Sequence, residues 1–231
     1  MNTINLFHEN MKLADMLNEN PQLILMLPRF DIRLGFGEKR IREVCEGGKV
    51  PVGLFLLLCN VYTFDFYLPT GEEVESIDGK ALISYLQASH RYYLVKRLSH
   101  IGTHIDHIAD VCGDVGSVLR KFFSEYRKEV EAHFSYEEDT VFPYILRLLD
   151  GMGMDAFTIK EFERAHSNIE DKLSDLTNII VKYLPEETMP DERISVWFDI
   201  TQVSRDLNKH ALIEEKILVP YVKHLEENRH E

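Results

Sequence analysis

Two stretches of this chain spell the same pattern. HFSYEEDTVFPY from His133 and HALIEEKILVPY from His210 are both H-x-x-x-E-E-x-x-x-x-P-Y. In each, the histidine and the first glutamate fall on an apolar stripe at helical spacing: Val130, His133, Glu137, Val141 and Tyr144 in one, Leu207, His210, Glu214, Ile217 and Tyr221 in the other. Such a stripe is the face a helix buries. An uncompensated carboxylate there is costly, and two of them, each one turn from a histidine, need a common explanation. The repeat also reaches upstream. His90 precedes His133 by 43 residues and lies on the stripe Ile83, Leu86, His90, Tyr93; His166 precedes His210 by 44 and lies on Ile159, Phe162, His166, Ile169, Leu173.

From Lys80 onward the chain therefore reads as two copies of a unit in which a helix with one histidine precedes a helix with HxxxE. Four helical segments fit, at 80–112, 116–149, 155–184 and 191–227, separated by GDVG, DGMGMD and LPEETMPDE. Helices of ~30 residues run ~45 Å, and short polar connections between them predict an up-down four-helix bundle. The fold class expected is all-α.

Residues at i and i+4 project from one helix face about 6 Å apart along the axis. One helix can thus offer an imidazole to one metal and a carboxylate that reaches a second. Pairing two HxxxE helices with two single-histidine helices would bring His90, His133, Glu137, His166, His210 and Glu214 to the bundle midline. That gives each of two metals two imidazoles and both carboxylates as bridges, with open positions for water, oxo or a small diatomic molecule. Imidazole and carboxylate without thiolate suit iron or manganese, and ligand type alone leaves zinc open. Two carboxylates offset only part of the charge of two such ions, so a bridging oxide or hydroxide is expected.

Ahead of the bundle, residues 1–63 are dense in punctuation (Pro21, Pro28, Gly35, Gly37, Gly47, Gly48, Pro51). Short amphipathic pieces lie between the breaks: KLADMLNEN, QLILMLPRF entered through Asn20-Pro21 as cap and first-turn proline, GEKRIREVCEGG, and VPVGLFLLLCNVY. They predict a small helical N-terminal domain. Residues 64–79, with Pro69-Thr70-Gly71 and a short acidic run, read as a linker, and residues 80–231 as the bundle.

The formal charge of −13, from 39 acidic against 26 basic residues, argues against a partner that is nucleic acid, which needs positive surface, and against an anionic membrane. The longest apolar run, Val52 to Cys59, falls short of a spanning helix. MNTINLFHENMK has no basic and apolar signal pattern. Cys45, Cys59 and Cys112 are few, odd in number and widely spaced, which fits buried inert thiols and a cytoplasmic home better than a disulfide framework.

The bundle region resembles the hemerythrin-like (HHE cation-binding) fold over residues 80–227. More narrowly, it resembles the di-iron repair-of-iron-centres family, whose small N-terminal domain is matched by LADMLNENPQLILMLPRFDI and GEKRIREVCEGG. Carried over by residue, that family's ligands fall on His90, His133, Glu137, His166, His210 and Glu214, and the resemblance implies two iron ions ahead of manganese or zinc. It also implies a role in recovery of iron–sulfur proteins from nitrosative and oxidative damage, by donating iron to an acceptor protein or by handling nitric oxide or oxygen. The family's Cys-Cys-Gly-Gly is missing: Ile32-Arg33-Leu34-Gly35-Phe36-Gly37-Glu38 stands in its place, so the resemblance does not extend to thiol-dependent steps through that pair, which raises the alternative of an oxygen or nitric-oxide sensor signalling through the domain. Oxygen-carrying hemerythrins place a further histidine four residues after the one on the third helix. Here that position is Glu170, a reserve ligand.

No nucleophile or acid–base pair stands apart from these residues, so any enzymatic turnover would be redox chemistry at the metals. Glu138 and Glu215 project about 100° off the seam, toward solvent or the backs of ligands. Tyr144 and Tyr221 read as packing residues, and Pro143 and Pro220 as a shared inheritance of the repeat. His100, His104 and His107 form a second histidine cluster, read as exposed residues with adventitious affinity for metal, with a surface metal site as the alternative. EENRHE reads as a solvated end.

Overall fold

The computed structural model describes residues 5–152, 157–165 and 171–228. Among the described residues every regular element is helical, and the one pairing of extended backbone is an isolated bridge between Lys12 and Arg40. The helices are α1 (Leu13–Glu19), α2 (Ile41–Gly48), α3 (Val52–Thr63), α4 (Gly71–Glu75), α5 (Gly79–Arg91), α6 (Leu98–Val111), α7 (Gly113–Tyr136), α8 (Phe142–Leu149), α9 (Ile159–Ala165), α10 (Asp171–Asn178), α11 (Pro190–Ile213) and α12 (Val219–Glu227). Wide π-helical turns lie between consecutive helices at Tyr92–Arg97, Glu137–Val141 and Glu214–Leu218, and a further one, Ile179–Tyr183, ends α10.

The chain divides into two compact units, one of Met1–Ser89, Pro143–Glu163 and Lys209–Glu231, the other of His90–Phe142 and Arg164–Asn208. In the first, Asn20 caps a 3-10 turn over Pro21–Leu25 by accepting from the N–H of Gln22 at 3.1 Å. Buried Asn60 holds the N-terminal strand of chain, accepting from Phe7 N–H at 2.8 Å and donating to Phe7 O at 3.3 Å, so neither polar end is left unsatisfied. Phe30 stacks on Tyr85 of α5 with ring centroids 4.7 Å apart and meets Phe55 of α3 edge-on. The stretch expected as a linker contains α4, started by a reciprocal cap: Thr70 Oγ1 accepts from Glu73 N–H, and Glu73 accepts from Thr70 N–H at 2.8 Å.

The second unit gathers Ile101, Ile105 and Ile108 of α6, Leu119, Phe123 and Val130 of α7, Leu173 and Leu176 of α10, and Val196, Ile200 and Val203 of α11 into one apolar core. Val130 and Leu173 belong to stripes that the periodicity marked. GDVG, expected as a connection between helices, is instead the first turn of α7. Only Cys112 separates α6 from α7. The reversal is that tight because Gly113 adopts a φ of 55°, and because Gly116 lets its backbone close on Ala109, whose carbonyl a Cβ would strike.

Candidate metal centre

The second unit assembles three of the expected ligands. Glu137 is fully buried. One carboxylate oxygen lies 3.0 Å from Nε2 of His90 and the other 2.9 Å from Nε2 of His133. Neither oxygen takes part in a hydrogen bond of normal geometry. Two ligand atoms each about 2.1 Å from one ion and at right angles to each other lie about 3.0 Å apart. A buried carboxylate that approaches two imidazole nitrogens to this distance without hydrogen bonding to them has the arrangement of ligands that converge on ions beside them. The donor set therefore fits an imidazole–carboxylate metal centre.

The other face of His90 makes the same point. Its Nδ1 is hydrogen-bonded to Oε1 of Glu138 at 2.9 Å. Glu138, a carboxylate, accepts from Nδ1, and Nε2 faces a second carboxylate, Glu137, at 3.0 Å. A ring held through Nδ1 in this way presents Nε2 to the same place as the Glu137 oxygen. A carboxylate behind a ligand histidine is also the arrangement that fixes its tautomer and raises its basicity. Phe134 stacks on the His90 ring at a centroid distance of 4.0 Å and Phe142 at 5.5 Å, both nearly parallel to it. Nothing in the sequence singled out these two phenyl rings as site residues.

The first unit holds the second HxxxE pair. His210 Nε2 lies 3.0 Å from Glu214 Oε1, and both side chains are buried. His90, Glu137, His210 and Glu214 thus each offer a ligand atom from a buried side chain. His166 and Glu170 lie outside the described residues.

Backbone geometry is duplicated along with the residues. A π turn begins at Glu137, where Phe142 N–H donates to Glu137 O, and another begins at Glu214, where Val219 N–H donates to Glu214 O. Each closes on the residue just before a proline, Pro143 and Pro220. Proline has no N–H and crowds the carbonyl four residues back, and the wider π turn makes room for it. The two prolines thus sit at the same point of the same backbone turn, as the repeat implies. Tyr144 and Tyr221 pack as expected. Tyr144 OH donates to Glu226 at 2.6 Å, and Tyr221 lies over Gly79, where a Cβ would come within 2.6 Å of the ring.

With this geometry in view, the hemerythrin HHE cation binding domain family matches residues 81–222, more than half of the sequence. The chain belongs to that family. The all-α, hemerythrin-like bundle expected from the seams is the fold of the family, and a metal-binding site is its common property. The chain is also similar to the iron-sulfur cluster repair protein ScdA of Staphylococcus haemolyticus (strain JCSC1435), at 21% identity over 154 residues that cover 63% of this chain and 68% of that protein. No helix among the described residues is long and apolar enough to cross a membrane.

Away from the metal centre, the thiols are quiet. Cys45, Cys59 and Cys112 are buried and free. Burial pushes the Cys45 thiol up to about 12, with Glu46 adding to the effect, and holds that of Cys59 well above its ordinary value.

Proposed function

We propose that this hemerythrin-family protein is a non-haem di-iron protein of the iron-centre repair type, acting in nitrosative or oxidative stress. His90, His133, His166 and His210 would hold the two irons, with Glu137 and Glu214 shared between them. The observation that carries the reading is the Glu137 carboxylate, buried and outside any hydrogen bond, with an imidazole nitrogen about 3 Å from each oxygen. The duplicated HxxxE motif supports extending it to His210 and Glu214. When bound, iron supplies a reversible change of oxidation state and an open position for a small diatomic molecule.

The chain's own residues set the conditions for that chemistry. Glu138 keeps the His90 proton on Nδ1 and so keeps Nε2 available to metal. Phe134 and Phe142 cover the ring faces of His90 and exclude water from it. The name of the relative, an iron-sulfur cluster repair protein, supports iron donation to an acceptor protein or capture of NO or O2 as the purpose. We place the protein in the cytoplasm from its three unpaired cysteines, and free of nucleic acid and anionic membrane from its net charge of −13. The same proposal divides the chain into an N-terminal module of residues 1–63, a linker of 64–79 and the bundle of 80–231.

A second reading, a di-iron sensor signalling through the N-terminal part, is favoured by the ties on either side of the second HxxxE pair. Lys209, next to His210, pairs with the Asp65 carboxylate, and Lys216 donates to the backbone oxygens of Asp65 at 3.1 Å and Tyr67 at 3.3 Å. A shift of Glu214 would pull on residues 65–67.

The deciding experiment adds anaerobic, iron-loaded protein to an iron–sulfur enzyme damaged by NO. The repair reading expects activity to return with the iron-loaded protein and not with metal-free protein. No recovery, together with NO-dependent change in protease protection around residues 64–79, would favour the sensor.

A further inference from the structure

Three histidines of α6 face two carboxylates of α11, away from the residues discussed above. His100 Nε2 lies 3.3 Å from Asp199 Oδ2. His104 Nδ1 lies 2.8 Å and His107 Nδ1 3.1 Å from the same oxygen of Glu192. The rings of His100 and His104 are perpendicular, with centroids 4.6 Å apart. One ligand atom each from His100, His104 and Asp199 lies within 4.8 Å of the others.

We infer that His100, His104 and Asp199 form a second, surface metal site that takes one exchangeable divalent transition-metal ion. The spacing is the first reason. His100 and His104 are one turn apart on α6, and Asp199 meets them from α11. The 3.3 Å between His100 Nε2 and Asp199 Oδ2 already equals the separation of about 3.3 Å between ligands of a tetrahedral ion held at about 2.0–2.1 Å. Closing the rest needs rotation of partly exposed side chains, with no movement of the backbone.

Tautomer is the second reason. Glu192 accepts from Nδ1 of His104, which leaves the Nε2 lone pair to the metal. This carboxylate–histidine pairing orients imidazole ligands in metal sites generally. Glu192 also binds His107, which anchors the carboxylate from a second side and keeps a third imidazole in reserve.

Arg97 sets the limit on affinity. It donates to the other oxygen of Asp199 at 2.8 Å and to Gln202 at 2.8 Å. Asp199 therefore offers the metal one oxygen, and the nearby guanidinium charge weakens the hold. Two imidazoles, one carboxylate and open positions suit zinc, cobalt or ferrous iron, and exclude calcium and magnesium, which prefer oxygen cages. Such an ion can be acquired and released at the surface without opening the core.

The test titrates cobalt(II) into the iron-loaded protein, following its visible ligand-field bands and the bound cobalt after gel filtration. One cobalt per chain is expected, with no iron displaced. His104→Ala and His100→Ala should each abolish it, and Glu192→Gln should weaken it by about 10–100-fold, while iron content and helical circular dichroism stay as in the parent. Because each substitution is at a partly exposed position, its fold can be checked independently. Cobalt bound equally well by His100→Ala and His104→Ala, or bound only as an adventitious ion without ligand-field bands, would overturn the site.

Discussion

Nδ1 of His90 is hydrogen-bonded at 2.9 Å to Oε1 of Glu138, 48 residues away on another helical rod. Glu138 stands next to Glu137, and the two neighbours meet opposite edges of one imidazole. Both stand at the start of the wide turn of Glu137–Val141. Replacing Glu138 by Ala should leave the fold intact and speed iron loss to a chelator, with affinity falling about 10–100-fold; Glu138→Gln should fall between. Unchanged release rates would remove Glu138 from the site.

Pro143→Ala restores an N–H at the end of the π turn and allows an ordinary α-helical register through Glu137. The rod should keep or gain helicity, and the carboxylate should swing off the seam. Iron content should drop while the far-ultraviolet dichroism is retained. Pro220→Ala should do the same through Glu214. Full iron content in both variants would show that the turn is indifferent to proline.

Gly116→Ala tests the reversal between α6 and α7. A methyl group there meets the Ala109 carbonyl, backbone that cannot rotate aside, so a loss of stability of about 1–3 kcal/mol is expected. Gly47→Ala, where a Cβ meets nothing, should show no such cost. Denaturant midpoints measure both.

Cys45 and Cys59 should resist alkylation in the native protein at neutral pH, because their thiols are buried and held far from ionisation. Both should react promptly once unfolded. Rapid native labelling, followed by mass spectrometry, would instead reveal a thiol role for the N-terminal part.

Much of the fold could be read from spacing alone. The stripe through Val130, His133 and Glu137, and its copy through Leu207, His210 and Glu214, marked buried faces, and those residues are buried or nearly so. Turns were harder to read. Gly113 and Gly116 looked like loop punctuation, yet they serve close helix approach, which depends on a neighbouring backbone that the local sequence does not name. The π turns were equally hidden, since a stripe spaced by threes and fours tolerates one extra residue per turn without losing its apolar character.

The candidate site was legible where it repeats and illegible where it depends on register between rods. HxxxE and its partner histidines stood out as polar residues on apolar stripes. Glu138 was recognisable only as a carboxylate off the seam; that it backs His90, and that Phe134 and Phe142 lie parallel to the same ring, follows from packing across helices. His104 and His107 were seen as a cluster, but Glu192, which orders them, lies 85 or more residues away.

The most direct test of the account is metal analysis with an ultraviolet–visible spectrum of protein produced with iron, set beside His133→Ala and Glu214→Ala. The di-iron reading predicts about two irons per chain, as expected for two imidazole–carboxylate positions in a four-helix bundle, with the charge-transfer absorption lost in both variants. Absence of stoichiometric metal, or a single zinc untouched by either substitution, would contradict it.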